Sequence, residues 1–222
     1  VQVLEVGCGN GYNCFSLSEL FPKFNFTGID YIPNMIKNAE IFRDKSLLKY
    51  ERVLFGIGDI LDLDKNDGIK NGYDVIFTDR CIINLNKRSL QLKAIDKLIK
   101  KVAPGGYLII LENFIQNYNK QNSCRELVGL PKRIPDNFNL FIDEKKFLSH
   151  MKKKMNLLSV DDFASLHDIV LYVLVPMINK GNVDYSHPLL QAATDFLLFI
   201  SEKYNNSFGN FGQNRLFLFR KK

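Results

Sequence analysis

The stretch V-L-E-V-G-C-G-N-G, residues 3–11, decides how this chain begins to fold. Its apolar, β-branched start is typical of a buried strand, which we predict over Val1–Val6. Three glycines, Gly7, Gly9 and Gly11, follow, and helical periodicity begins directly after them. Glycine lets a backbone turn sharply and approach a ligand closely, and the start of a helix favours an anionic group nearby. The stretch therefore predicts a strand, a ligand-binding loop and a helix.

Outward from this stretch, the first half of the chain alternates strand-like and helix-like segments. We predict further strands at Asn25–Ile29, Arg52–Gly56, Tyr73–Thr78 and Tyr107–Leu111, helices at Tyr12–Leu20, from Pro33 and at Ser89–Val102, and a tight turn at Pro104–Gly106. Strands that alternate with helices imply parallel pairing with right-handed crossovers. The sequence therefore predicts a doubly wound α/β domain.

The second half of the chain is less regular. We predict a polar segment at Asn113–Leu140, a helix at Asp143–Met155 with Asp143 as N-cap, a strand at Asn156–Phe163, mainly helical structure at Leu166–Tyr204 broken at Asn179–Asn182, a loop at Asn205–Asn214 and a last strand at Arg215–Phe219. We expect one domain over residues 1–222, with insertions at about 113–142 and 164–213. The two insertions should roof a cleft at the carboxyl ends of the strands.

The composition favours a globular protein over a membrane or disulfide-rich one. Hydrophobic residues make up 46% of the 222 residues, and no apolar run reaches the ~20 residues that span a bilayer. Four cysteines lack paired or metal-finger spacing, so we expect reduced thiols in a cytoplasmic protein. Much of the net charge of +6 lies at helix and tail ends, so we expect neither a nucleic-acid nor a membrane partner. Because the chain opens on Val1 rather than Met, we expect its true N-terminus to be missing.

Glu5 followed by G-x-G-x-G resembles motif I of the class I S-adenosylmethionine (SAM)-dependent methyltransferases. Further matches follow in the family's order: Asp30 after the second strand, Gly58-Asp59-Ile60 after the third, Tyr73–Arg80 at the fourth and Pro104–Glu112 at the fifth. Nicotinamide dehydrogenases, the main alternative, have G-x-G-x-x-G spacing instead. The resemblance implies a Rossmann-like, mostly parallel sheet of seven strands, with an antiparallel last strand and helical cap insertions.

The resemblance also implies SAM as the methyl donor, S-adenosylhomocysteine (SAH) as the product, and a set of binding residues. By analogy with the family, Asp30 binds both ribose hydroxyls, which suits a carboxylate because it accepts two hydrogen bonds at once. Asp59 and Ile60 frame the adenine, and Tyr31 and Met35 pack beside the ribose or the adenine. The other cofactor-binding residues that the resemblance implies are Glu5, Gly7, Cys8, Gly9, Gly11 and Arg80.

Methyl transfer to a hydroxyl needs an aligned nucleophile and a group that takes its proton. Since ligands bind at the carboxyl ends of strands, the candidate catalytic residues are Asp79, Arg80 and Glu112, together with His167 in the second insertion. Arg80 could pair with the SAM carboxylate, with an acidic acceptor or with Glu112. A magnesium site of the catechol type would use Asp79, Glu112 and Asn113, but that type has Asp-Asn after strand five, so we expect no metal.

The methyl acceptor is the least determined part of the prediction. The string R-C-I-I-N-L, residues 80–85, resembles bacterial methyltransferases that modify glycans or small metabolites. It favours O-methylation of a small molecule or sugar. Strings typical of adenine, cytosine and protein arginine methylation do not follow the fourth strand. An RNA or protein methyltransferase and an inactive SAM-binding module stay open as alternatives, and the sequence does not predict the oligomeric state.

Overall fold

The structure, a computed structural model, describes residues 1–66, 68–200 and 208–222. Its strands are β1 Gln2–Val6, β2 Asn25–Asp30, β3 Val53–Ile57, β4 Tyr73–Asp79, β5 Val102–Asn113, β6 Met155–Asp161 and β7 Asn214–Lys221. They form one sheet in the order β3-β2-β1-β4-β5-β7-β6. Strands β1 to β5 pair in parallel, and β7 runs antiparallel to β5 and β6. The predicted Rossmann-like, mostly parallel seven-stranded sheet with an antiparallel last strand is confirmed.

Helices join most of the strands. The α-helices of the described residues are α1 Tyr12–Leu20, α2 Pro33–Lys45, α3 Arg88–Lys101, α4 Ile115–Leu127, α5 Glu144–Met151, α6 Ser165–Ile169, α7 Val175–Ile178 and α8 Pro188–Phe199. Short 3-10 helices at Ile60–Lys65 and Ile82–Asn84 follow β3 and β4, and a π-helical turn at Val170–Leu174 joins α6 to α7. Asp143 caps α5 as predicted. This helix ends at Met151 rather than Met155, because Met155 already pairs with β7 in the sheet.

Apolar side chains cover both faces of the sheet, since successive strand residues point to opposite sides. On one face, Leu4 packs in a cluster that includes Leu98 of α3. On the other face, Val3 packs in a cluster that includes Phe15 of α1. With both faces covered, the rim at the carboxyl ends of the parallel strands is the part of the sheet that is left to bind a ligand.

The predicted turn at Pro104–Gly106 is part of β5 rather than a connection before it. The register of β5 against β4 shifts across these residues, which form a bulge. Gly105 has a φ of +71°, and a Cβ on Gly106 would lie 2.9 Å from the carbonyl oxygen of Asp74. The glycines let the strand bulge without leaving the sheet, which their turn-like composition did not indicate.

The predicted polar segment Asn113–Leu140 contains a helix, α4, that the sequence pattern did not reveal. The buried face of α4 is polar, since Asn117, Gln121 and Arg125 are each at most 3% exposed. Gln121 donates to the Asp168 carboxylate at 2.8 Å, and Asn117 donates to a backbone carbonyl at 2.7 Å. Hydrogen bonds rather than apolar contacts hold this face, so no hydrophobic periodicity marks the helix.

The second insertion is helical up to α8 and breaks after α7, as predicted. Lys180 and Gly181 have φ values of +51° and +86° at the break, a left-handed conformation that ends a helix. The predicted helical segment reached Tyr204 and the predicted loop began at Asn205, but residues 201–207 lie outside the described residues. Within the described part of the chain, no helix has the length and apolar character needed to cross a bilayer. The four cysteines, all of them described, are free thiols.

Candidate active site

The glycine loop connects β1 to α1 at the carboxyl edge of the sheet. Gly7, Gly9 and Gly11 have φ values of +82°, +53° and +82°, which residues with a Cβ rarely adopt. The Gly7 N–H donates to the carbonyl of Ile29 at 2.8 Å and so ties the loop to β2. A Cβ on Gly7 would lie 2.5 Å from Cys81, whereas a Cβ on Gly9 would meet no atom within 4 Å. Packing against Cys81 therefore requires a glycine at position 7, while the space beside Gly9 is open.

Asp30 ends β2 and holds the glycine loop in place. Its Oδ2 atom accepts the Gly9 N–H at 2.9 Å, and its Oδ1 atom accepts the Ile32 N–H at 2.8 Å. A carboxylate oxygen has two lone pairs, so each oxygen of Asp30 can accept one further hydrogen bond. Asp30 can therefore support the loop and bind a pair of ligand donors at the same time.

A cavity of about 590 Å³, here called the first cavity, opens at the carboxyl ends of β1, β2 and β4. The predicted cofactor residues in its wall are Gly7, Asp30, Tyr31, Asp59, Ile60 and Arg80. Asp59 also caps the following 3-10 helix, accepting the Leu61 N–H at 2.8 Å. Phe138 of the first insertion completes one side. The volume lies in the range typical of small-molecule sites.

The other predicted cofactor residues, Glu5, Cys8, Gly9, Gly11 and Met35, lie outside the wall of the first cavity. Cys8 and Glu5 are buried, and Met35 on α2 is 39% exposed. Gly11 gives α1 room beside β3, because a Cβ there would lie 2.4 Å from the Phe55 ring. The loop residues Cys8, Gly9 and Gly11 can influence ligand binding by setting the shape of the loop.

Glu5 lies buried near the start of α1. Its carboxylate accepts the Asn13 side-chain N–H at 2.9 Å and the Cys14 thiol at 3.0 Å. Burial raises the pKa of Glu5 to about 7, against the lowering effect of these two hydrogen bonds, and the nearby Asp79 carboxylate raises it further. Asn13 also donates to Asp79 at 3.4 Å. Asn13 thus connects the buried Glu5 to a carboxylate at the end of β4.

Glu112, a predicted catalytic residue, lies beneath the rim with no exposed surface. It accepts four hydrogen bonds, from the hydroxyl of Thr78 at 2.9 Å and from the N–H groups of Cys81, Ile82 and Ile83 at 3.0, 2.9 and 3.3 Å. Burial raises its pKa to about 7, although these hydrogen bonds lower it. From this position Glu112 does not line the first cavity and does not pair with Arg80. Through these hydrogen bonds Glu112 holds the turn after β4 in place.

Arg80, the first residue of that turn, has a φ of +51°, which is rare for a residue with a side chain. Its N–H donates to the carbonyl of Leu111 at 2.8 Å, and its carbonyl accepts the Asn84 side-chain N–H at 3.1 Å. The Nε atom of Arg80 lies 3.3 Å from Oδ1 of Asp79. Backbone strain of this kind persists only where the surroundings enforce it, and it clusters at ligand sites.

A second cavity of about 390 Å³ lies on the other side of Arg80. It is lined by Arg80, His167, Asp168, Tyr172, Tyr185 and Asn113, together with apolar groups such as Phe163. Nδ1 of His167 lies 3.1 Å from Oδ1 of Asp168. Asp168 is buried, and its Oδ2 accepts hydrogen bonds from Gln121 and from the Gln213 N–H, both at 2.8 Å. The buried carboxylate therefore fixes the orientation of the imidazole.

Two tyrosines of the second cavity, Tyr172 and Tyr185, were not predicted. Tyr172 belongs to the π-helical turn and Tyr185 to the loop before α8. Burial raises the pKa of Tyr172 well above its usual range, and the nearby Asp168 carboxylate raises it further. π-Helical turns occur frequently at functional sites, but no sequence pattern marks one here.

Comparison with known proteins identifies the family. A family model described as "Methyltransferase domain" matches residues 1–164. The chain belongs to the class I SAM-dependent methyltransferases. A malonyl-[acyl-carrier protein] O-methyltransferase of Priestia megaterium is 30% identical to this methyltransferase over 124 residues, which cover 56% of this chain and 41% of that protein.

An uncharacterized protein of Rickettsia prowazekii is 29% identical to the methyltransferase over 127 residues, 57% of this chain and 48% of that protein. The chain thus spans about half the length of the curated relatives it matches. Among solved structures, the PKMT2 protein of Rickettsia typhi has a TM-score of 0.61 and 18% identity, over 100% of this chain and 49% of that chain. This likeness shows the shared fold.

The first cavity of the methyltransferase fits the donor that its family uses. Asp30 in its wall keeps two lone pairs that can accept hydroxyl groups, and the neighbouring loop has open space beside Gly9. Asp59 and Ile60 stand in the wall where the resemblance implies the adenine. Within residues 1–66, 68–200 and 208–222, no cluster of three or more His, Cys, Asp or Glu side chains could hold a metal ion.

Proposed function

We propose that this methyltransferase transfers the methyl group of SAM to an oxygen atom of a small molecule or sugar in the second cavity. The observation that carries the proposal is that both cavities meet at Arg80, beyond the end of β4. A donor and an acceptor can then lie side by side across one residue, which is the arrangement that an in-line transfer needs. The volume of about 390 Å³ favours a small acceptor.

Residues of the first cavity would hold the donor, which supplies the methyl electrophile when bound. Asp30 accepts the ribose hydroxyls, Asp59 and Ile60 flank the adenine, and Tyr31 covers the outer side. Glu5 supports the glycine loop through Asn13 and Cys14. We also propose that the protein works in the reducing cytoplasm, where its four free cysteines stay as thiols.

The second cavity offers a base for a hydroxyl acceptor. With the Nδ1–H of His167 donated to Asp168, the Nε2 atom keeps a lone pair that can accept the hydroxyl proton. Asp168 is a positioning residue, because it touches the ring rather than the acceptor. Asp79 is less suited to this role, since its oxygens already face Arg80 and Asn13. Several relatives are malonyl-[acyl-carrier protein] O-methyltransferases, which supports transfer to oxygen.

Replacement of His167 by glutamine should lower the turnover number by about 100-fold or more, the usual contribution of a general base. The measurement is transfer of tritiated methyl from SAM to a panel of sugars and hydroxylated small molecules, with SAH affinity measured in parallel. SAH affinity should stay unchanged, because His167 does not line the first cavity.

A matched control is His150→Gln, which removes a histidine paired with Asp96 at 2.6 Å outside both cavities. This variant should retain the wild-type rate. If the wild-type protein binds SAH but methylates no member of the panel, the alternative of a module without turnover gains support. A product methylated on nitrogen would contradict the choice of oxygen.

A further inference from the structure

The turn after β4 fixes Arg80 between the two cavities of the methyltransferase. Hydrogen bonds at its N–H and carbonyl hold the strained backbone, and Glu112 holds the three following N–H groups. A backbone held at this many points confines the side chain that it carries. Arg80 lines both cavities, and its side chain is 64% exposed.

The guanidinium of Arg80 is only partly paired. Its contact with an acidic group in the described chain is Nε to Oδ1 of Asp79 at 3.3 Å, and its two Nη atoms have no hydrogen-bond partner among the described residues. The fork of N–H groups on an arginine matches the two oxygens of a carboxylate or phosphate. Arg80 therefore presents an open oxyanion-binding edge.

Two more arginines contact Tyr172, a residue in the wall of the second cavity. The guanidinium of Arg133 lies 3.3 Å from the ring centroid of Tyr172, and Arg125 donates to the carbonyl of that tyrosine. Neither arginine forms an ion pair with any carboxylate in the described ranges. Among the described residues of the wall, Asp168 is the one acidic group, and its oxygens contact His167, Gln121 and a backbone N–H. The first cavity differs, because Asp30 and Asp59 stand in its wall.

We propose that the methyl acceptor carries an oxyanion, a carboxylate or phosphate group, that Arg80 binds in the second cavity. The inference rests on the proposed function and narrows its substrate class to acidic small molecules. Arg80 is then a specificity-determining residue, because a neutral analogue would leave its fork unpaired beside the positive groups of the cap.

The test is a titration of SAH-saturated protein with acetate and with inorganic phosphate, followed by the NMR signal of the Arg80 Nε–H group. We expect saturable binding of at least one anion that shifts this signal, and no shift with neutral acetamide. Arg80→Gln should weaken anion binding by about tenfold or more, as for the loss of a charge-assisted pair, in protein that is again saturated with SAH. Arg80→Lys should retain part of the anion affinity, since it keeps the charge without the fork.

The matched control is Arg43→Gln, which removes an arginine paired with Asp44 outside both cavities and should leave anion binding unchanged. Absence of saturable anion binding, or equal binding in Arg80→Gln, would overturn the inference. So would loss of SAH affinity in Arg80→Gln, which would assign the guanidinium to the donor's own carboxylate. Failure of the wild-type protein to bind SAH appears before any anion is added, and it overturns the proposed function as well.

Discussion

Replacement of Glu112 by alanine is expected to lower the free energy of unfolding by about 4 kcal/mol. The wild-type carboxylate is fully buried and accepts hydrogen bonds from Thr78 and from the N–H groups of Cys81, Ile82 and Ile83. Alanine leaves these four donors without their acceptor, and each costs about 1 kcal/mol at the low end of the usual range, since water can enter the space. For a chain of this size the melting temperature should fall by roughly 10 °C.

Replacement of Glu112 by glutamine should lower the free energy of unfolding far less than replacement by alanine. It keeps the oxygen that corresponds to Oε1, which accepts three of the four hydrogen bonds, and it loses the acceptor of the Ile83 N–H at 3.3 Å. At about pH 5, where the folded protein keeps the proton on Glu112, we expect Glu112→Gln to cost about 1 kcal/mol. Urea unfolding of both variants measures the difference. Equal stability of the two variants would show that Glu112 does not hold the turn after β4.

The same residue gives the stability of the protein a pH dependence. Burial raises the pKa of Glu112, like that of Glu5, from an ordinary value of 4.5 to about 7. Between these values the folded chain keeps a proton that the unfolded chain has lost, so this contribution to stability is complete below about pH 4.5 and is lost as the pH rises to about 7. Its size is on the order of 3 kcal/mol for each carboxyl group. Glu112→Gln should remove one group's share, and an unchanged pH profile would contradict the assignment.

Replacement of Gly9 by alanine should weaken SAH binding while the protein still folds. A Cβ on Gly9 would meet no protein atom within 4 Å, so the cost to stability is the left-handed φ of +53°, about 1–2 kcal/mol. On the proposed function, the same Cβ would occupy the space in which the donor approaches the loop backbone. We therefore expect SAH affinity to fall by about tenfold or more, which corresponds to about 1.4 kcal/mol.

Two further glycine variants serve as controls for this prediction. Gly72 has a φ of +84° and open space beside it, but it lies before β4 and lines neither cavity, so Gly72→Ala should lose stability and keep SAH affinity. Gly7→Ala should unfold the protein more severely, because its Cβ would overlap Cys81. Calorimetry with SAH and thermal unfolding measure all three variants. Unchanged SAH affinity in Gly9→Ala would mean that no ligand lies against the loop.

The parts of the fold that follow from apolar patterns could be predicted from the sequence. Strands β1 to β4 and helices α1 and α3 lie within one or two residues of their predicted bounds, because both faces of the sheet are covered by regular apolar side chains. Helix α4 was not predicted, because its buried face consists of amide side chains and an arginine. The bulge in β5 escaped prediction because the residues that form it are also typical of a turn.

The candidate site could be predicted only in part, and for a different reason. The positions of Asp30 and Asp59 follow from where strands end, so their place at the first cavity was open to prediction. Glu112 also ends a strand, but the backbone N–H groups that surround it belong to a turn about 30 residues earlier. Tyr172 and Arg80 line the same cavity only because the helices of the second insertion pack against the sheet domain. Sequence spacing carries no signal for contacts of that kind.

A calorimetric titration of the folded protein with SAH, compared with that of Asp30→Ala, tests whether the first cavity binds the methyl donor. We expect saturable binding to one site in the wild-type protein. In Asp30→Ala it should weaken by about 1–3 kcal/mol, because a carboxylate that accepts two hydroxyls and holds the Gly9 N–H is lost. Binding of equal strength in Asp30→Ala would remove Asp30 from the ribose site. Absence of SAH binding by folded wild-type protein, with binding of a nicotinamide dinucleotide instead, would show that the glycine loop does not serve a SAM site.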